Sequence, residues 1–171
     1  MSGKALVLLA ALCGFVNGAD GSLAAPSPAP RCATSGLVIW LDTRSGGAAA
    51  GSVYYALELT NLSGHACTLR GYPGVSAVDL SGRQLGSASS RDPAQAPRSV
   101  RLAHGASAVA TLRIADALNY RAQRCRRQTA AGLRVYPPGQ TASRVVPFPF
   151  LACSRAGPRF LSVRVVRKAQ P

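Results

Sequence analysis

His65 and Cys67 stand two residues apart in "SGHACTLRG", and His104 is the only other histidine of the chain. A zinc site needs three or four Cys, His or carboxylate ligands at compact spacing. Copper favours His, Cys or Met, and the single methionine is Met1. With the thiols committed to disulfides, two histidines on separate turns make a poor metal site, and no cofactor is expected. A hydrolytic triad needs a nucleophile, a base and an orienting group. Serines abound, but the bases are only these two histidines and there is no Gly-x-Ser-x-Gly. The acids are Asp20, Asp42, Glu58, Asp79, Asp92 and Asp116. A glycosidase pair needs two carboxyls about 5–10 Å apart in a cleft, and the spacing gives no sign of one. No glycine-rich phosphate loop follows a strand and opens a helix. The chain therefore reads as a non-enzyme. The enzymatic alternative requires a site assembled from scattered residues, a deep pocket holding His65 or His104 beside Asp79 or Asp116.

Asn61-Leu62-Ser63 matches the N-glycosylation acceptor. The competing reading is stronger: Asn61 ends a strand and Ser63-Gly64 turns the chain, since Asn and Gly tolerate positive φ.

Charge is the other candidate for chemistry. Formal net charge is +14, from eighteen arginines and two lysines against six acids, and no acid occurs after Asp116. Such a field attracts polyanions: anionic lipid, wall polymer or nucleic acid. Arginine, alanine, glycine and proline are also what a compositionally biased genome writes, so the charge alone names no partner. The best cluster is Tyr120 with Arg121, Arg124, Arg126 and Arg127, the candidate anion-binding residues. Nucleic acid asks for aromatics interleaved with the basic residues. One tyrosine among four arginines does not meet that requirement. An anionic cell-wall polymer, a lipid surface or an envelope protein fits an exported chain better.

Export is read from residues 1–19. Lys4 precedes an apolar run, Ala5 to Val16, of signal-peptide length, and Gly18 and Ala19 supply small residues for cleavage. Lipidation at Cys13 is disfavoured by the bulky Leu12 before it. No later run is long and apolar enough to span a bilayer as a helix. Residues 20–31 form a Pro/Ala/Ser linker, and residues 32–167 form the globular domain, followed by a tail at 168–171. The protein is placed outside the cytoplasm, secreted or in the cell envelope.

The elements that must position these residues are strands. "GLVIWLD" puts Leu37, Ile39 and Leu41 on one face. "SVYYALELTN" puts Val53, Tyr55, Leu57 and Leu59 inward, and "ASAVATLRIA" does the same with Ala108, Ala110, Leu112 and Ile114. "GLRVYPP" and "RFLSVRVV" continue the rule, the latter with Leu161, Val163 and Val165 opposed to Ser162, Arg164 and Val166. Pro147 and Pro149 confine "RVVPFPF" to an edge or an extended loop. Ala115 to Gly132 reads as a crossover loop with a helical turn or two, pinned at Cys125. About eight or nine short strands with Gly/Pro punctuation predict an all-β fold, a single antiparallel immunoglobulin-like β-sandwich.

Cys32, Cys67, Cys125 and Cys153 remain after the signal, an even count that reads as two disulfides. Three pairings exist. A hairpin from Leu37–Asp42 around Gly46-Gly47 back through Val53–Asn61 would bring Cys67 near Cys32, which leaves Cys125 for Cys153. The other pairings stay open on sequence alone.

Several segments together resemble the domain-of-unknown-function 4232 family of exported, mostly actinobacterial proteins. They are Cys32 before the first strand, "YALELTNLSGHACTLRGYPGV", "VRLAHGASAVATL", Cys125, "LRVYPPG" and Cys153, spanning Cys32 to Val166. The resemblance implies an all-β, disulfide-bearing domain outside the cell and implies no activity. Many relatives look like lipoproteins, and Leu12 departs from that pattern. Two functional expectations follow. The first is a non-enzymatic module that binds an anionic surface or a protein. The second is a structural or accessory envelope domain, which an exposed apolar patch near Trp40, Phe148 and Phe150 would favour.

Overall fold

The structure, a computed structural model, describes residues 28–170. The expected signal segment, Cys13 and most of the linker lie outside the described residues.

Alternating apolar and polar residues make the strands, and the strands stack into a sandwich. The order is β1 (Leu37–Ala49), β2 (Ser52–Asn61), β3 (Cys67–Leu69), β4 (Gly74–Val78), β5 (Gln84–Leu85) and β6 (Ser90–Arg91). It continues with β7 (Val100–Leu102), β8 (Ser107–Ala115), β9 (Arg127–Tyr136), β10 (Arg144–Cys153), β11 (Leu161–Val163) and β12 (Arg167–Lys168). One sheet runs β1-β2-β8-β11-β6, with β12 also on β8. A second runs β10-β9-β4-β5, and β3 pairs with β7 apart from both. Among the described residues twelve strands replace the eight or nine expected, because two-residue strands such as β5, β6 and β12 leave no alternation to read. The pairing is antiparallel except for β6 against β11, which is parallel.

The main core lies between the two large sheets. Leu57 and Leu112 from one sheet pack in one cluster with Leu133 and Val135 from the other and with Phe160, all fully buried. Each such side chain contributes about 1.5–3 kcal/mol through removal from water. A second core gathers Leu59, Leu69, Leu102, Ala108 and Val166 beneath the β3–β7 pair. Each core contains one disulfide. Cys32 is bonded to Cys67 and Cys125 to Cys153, the pairs that the hairpin argument favours. The end of the expected linker is tied down: Thr68 N–H donates to Pro30 O, and Arg31 bridges Thr68. At the other end Lys168 pairs with Ala108 in β12.

Three expectations about elements are corrected. The first hairpin does not turn at Gly46-Gly47. A register shift between Asp42 and Gly47 lets β1 continue, and Ala49 pairs with Ser52 around Ala50-Gly51. Both turn residues have positive φ, 45° and 69°, which the right-handed twist of a two-residue hairpin demands. The segment after Ala115 is a crossover only as far as Arg126. From Arg127 it is already β9, because polar Arg127–Thr129 pair with Cys153–Leu151 of the edge strand β10. Finally, "RFLSVRVV" is not one strand. It breaks after Val163, where Val166 N–H donates to Gly71 O, so Val165 and Val166 are both buried.

Candidate functional site

The corner around Asn61 holds both histidines. Asn61 is fully buried. Its Nδ2 donates to the carbonyls of His65, Leu102 and Ala103, and its Oδ1 accepts from Ser63 N–H and Ser63 Oγ. His104 Nδ1 lies 2.8 Å from Ser63 O on the same corner. The two histidines thus share one corner, where sequence reading puts them on separate turns. The amide is spent on holding three chain segments together. Among the described residues no three His, Cys, Asp or Glu groups come close enough to hold a metal. Cys67 is in a disulfide.

The acids are dispersed. Asp79 accepts from Ser81 N–H, Arg83 N–H and Arg83 Nε. The Arg83 backbone N–H is the main reason that its carboxyl sits below the ordinary range, with burial opposing. Asp92 is lowered chiefly by the hydrogen bond from Arg164 Nε at 2.9 Å. Asp42 lies 3.9 Å from Arg44. Glu58 is raised, first by burial and then by the Asp42 charge. Asp116 Oδ1 accepts from Leu118 N–H. Neither Asp79 nor Asp116 hydrogen-bonds a histidine.

The arginine cluster is built by the second disulfide. Asp116 opens a 3-10 turn, Ala117–Asn119, and α1 (Ala122–Cys125) follows at once. The Cys125–Cys153 bond is reinforced by Ser154 N–H to Arg126 O and by Arg155 N–H to Cys125 O, at 3.0 and 3.2 Å. This zipper sets Arg159 against Arg121 and Arg124 in a cleft of ≈ 330 Å³ that Tyr120 and Asn119 also line. A neighbouring cleft shares Arg159 and adds Arg91. No acid lines either, and none of these guanidiniums has an acidic partner within 4.0 Å among the described residues. Guanidiniums so arranged accept phosphate or carboxylate oxygens in pairs.

Of the four expected anion-binding arginines, the structure brings Arg121 and Arg124 to the cleft. Arg127 is diverted: its Nε donates to Ala117 O and its Nη2 to Tyr120 O, at 3.2 and 2.9 Å. Arg126 is exposed but does not line the cleft. Arg159 and Arg91 enter from distant segments. For Arg159 a signal existed, since it follows Cys153 by six residues and Cys153 is the partner of Cys125. Arg91 had none. Sequence reading also gave no hint of a separate basic groove lined by Arg98, Arg101, Arg167 and Lys168.

An apolar cleft of ≈ 440 Å³ reaches Asp116, the residue that opens the Ala117–Asn119 turn. The tip of the β1–β2 hairpin forms one wall, with Ala49, Ala50 and Gly51. Tyr55, Phe148 and Phe150 form another. Tyr55 and Phe148 meet edge to face at 5.2 Å, and Phe148 and Phe150 lie 5.7 Å apart. No Lys or Arg lines it; Asp116 is its only charged residue. The hairpin tip is fixed from the turn: Asp116 N–H and Asn119 Nδ2 both donate to Gly51 O, at 2.8 and 2.7 Å. The patch expected near Trp40, Phe148 and Phe150 is not continuous. Trp40 pairs with Glu58 on the outward face of β1, whereas Phe148 and Phe150 pack against the core.

A family model described as Domain of unknown function (DUF4232) matches residues 32–166. No curated protein and no solved structure matches the chain. Among the described residues no helix is long and apolar enough to cross a membrane.

Proposed function

The chain belongs to the DUF4232 family, and from that premise and its basic cleft we propose that it is a non-enzymatic module that binds anionic polymers or surfaces outside the cytoplasm. The single observation that carries this reading is the convergence of Arg121, Arg124 and Arg159 on one cleft without a carboxylate. Three guanidiniums brought within one cleft repel each other, so their placement is favourable when an anion lies among them. Two disulfides support an oxidising location. A generic charge effect makes a competing forecast: any three arginines removed should weaken binding alike.

The test compares two triple variants of equal charge. Arg121→Gln/Arg124→Gln/Arg159→Gln removes the cleft, and Arg98→Gln/Arg101→Gln/Arg167→Gln removes the same charge from the separate groove. Retention is measured on vesicles containing phosphatidylglycerol and on poly(glycerol phosphate). Binding should fall steeply between 0.05 and 0.5 M salt, on the order of the shrinking Debye length. The cleft variant should lose at least about tenfold more affinity than the groove variant, given the strength of bidentate charge-assisted bonds. Equal losses, or retention insensitive to salt, would sink the proposal.

A further inference from the structure

The Ala117–Asn119 turn and the Asp116 that opens it touch both the basic and the apolar cleft. Asn119 lines the basic cleft, and its Nδ2 donates to Gly51 O in the wall of the apolar cleft at 2.7 Å. Asp116, at the other end of the turn, lines the apolar side and binds the same carbonyl. Leu118, between them in the turn, is 63% exposed. The two clefts also have complementary chemistry. One presents arginines and no acid. The other presents Tyr55, Phe148 and Phe150 and no cation.

We infer that the two clefts form one site for a single-chain amphiphile with a phosphate headgroup. The head lies on Arg121, Arg124 and Arg159, the chain crosses Leu118, and the tail enters between the hairpin tip and Phe148. This rests on the anion-binding reading of the basic cleft and adds the apolar half. The apolar cleft's ≈ 440 Å³ falls within the range of about 300–1,000 Å³ that small-molecule sites occupy. Its lining favours hydrocarbon over an anion, because an anionic group there would face Asp116 and no counter-charge. Joining head and tail makes the second contact intramolecular, so affinity rises above that of either half.

Calorimetric titration of the disulfide-intact protein with three probes tests this. Dodecyl phosphate is used below its micelle concentration, beside methyl phosphate and the uncharged dodecyl maltoside. Dodecyl phosphate should bind about a hundredfold more tightly than methyl phosphate, the return of three to four buried methylenes at roughly fourfold each. It should also exceed dodecyl maltoside by at least about tenfold. Phe148→Ala should bring dodecyl phosphate down to the level of methyl phosphate and leave methyl phosphate unchanged. Ala49→Phe, at an exposed position, fills the cleft without opening the core and should do the same. Equal affinity for dodecyl and methyl phosphate overturns the inference and leaves the anion-binding reading intact. Equal affinity for dodecyl phosphate and dodecyl maltoside overturns it as well, since the head then contributes nothing. If neither phosphate binds, the anion-binding reading itself fails, and this inference with it.

Discussion

The basic cleft is held by a covalent bond and by backbone carbonyls, whereas the apolar cleft is held by packed rings and a hairpin tip. On the basic side, the Cys125–Cys153 bond and the Ser154 and Arg155 backbone hydrogen bonds fix two segments that carry the arginines. Arg127 serves as structure there, its guanidinium on two carbonyls of the turn. On the apolar side, Phe148 sits edge-on to Tyr55, and one carbonyl, Gly51 O, takes two hydrogen bonds. The difference follows from what each wall must do. Arginines repel and stay solvated, so no packing force gathers them and a cross-link must. Aromatic rings gather by burial and need only a lid.

The largest effect expected from this comparison comes from the cross-link. The Cys125–Cys153 bond spans 28 residues and the Cys32–Cys67 bond 35. The chain-entropy model gives each roughly 3–4 kcal/mol. Cys125→Ala/Cys153→Ala and Cys32→Ala/Cys67→Ala should therefore cost similar stability in urea unfolding. They should differ in binding. Only the first should lower affinity for methyl phosphate, because only that bond sets Arg159 against Arg121 and Arg124. Equal losses of affinity would show that the basic cleft is not locally built.

Asn119→Ala comes next. It removes one of the two donors to Gly51 O, a cost of about 1 kcal/mol, while Asp116 N–H remains. The hairpin tip should loosen against the turn. Affinity for dodecyl phosphate should fall further than that for methyl phosphate, since Asn119 lines the basic cleft and also holds the wall of the apolar one. If both fall equally, Asn119 acts within the basic cleft and not between the clefts.

The unequal construction also explains which half was legible in the sequence. The strands that frame the apolar cleft follow from period-two alternation in "SVYYALELTN" and "ASAVATLRIA", and Pro147 with Pro149 marks β10 as an edge. Phe148 and Phe150 stand out in the sequence together with Trp40, and a pleat's parity says which residues share a face but not which sheet they meet. Gly46-Gly47 offers the obvious turn for the hairpin tip, and the register shift that carries β1 past it to Ala50-Gly51 has no local signature. Half of the basic cluster, Arg121 and Arg124, is legible as a local run in the sequence. Arg159 and Arg91 are tertiary neighbours, set by a disulfide and by a two-residue parallel pairing. Asn61 carried a turn signal, but its burial with five hydrogen bonds depends on Leu102 and Ala103, some forty residues away.

Acid separates the fold from the basic cleft. Asp79 and Asp92 have folded pKa values below their unfolded ones. The unfolded chain therefore takes up their protons first as the pH falls, and the stability they contribute, present above about pH 4, is lost below it. Glu58 has the opposite sign. Its raised folded pKa means that the folded chain is protonated first, so stability rises slightly as the pH falls toward about 4.3. Urea midpoints against pH should show that small rise and then a decline. Glu58→Gln should abolish the rise, and Asp92→Asn should flatten the decline. No acid lines the basic cleft, so a cleft that loses its charge-dependent retention before the fold loosens would contradict its composition.

The smallest expected effect compares the two residues other than glycine that have positive φ among the described residues. Ala50 stands in the lip of the apolar cleft and Arg126 beside the basic one, both at 45°. A left-handed conformation costs a residue with a Cβ roughly 1–2 kcal/mol. Glycine avoids that cost but gives back about 0.4–1 kcal/mol through the unfolded chain. Ala50→Gly and Arg126→Gly should each therefore raise stability by several tenths of a kcal/mol, visible as a small rise in Tm. Gly51→Ala should do the reverse, because its Cβ would stand 2.7 Å from Asn119 Nδ2 at a φ of 69°. Binding distinguishes the two gains. The Ala50 methyl lines the apolar cleft, so Ala50→Gly should weaken dodecyl phosphate while it stabilises the fold, strain retained at a site for what it contacts. Arg126 does not line the basic cleft, so Arg126→Gly should stabilise and leave methyl phosphate nearly unchanged. A loss of phosphate affinity there equal to that of Arg124→Gln would return Arg126 to the site and make charge, not cleft geometry, the basis of binding.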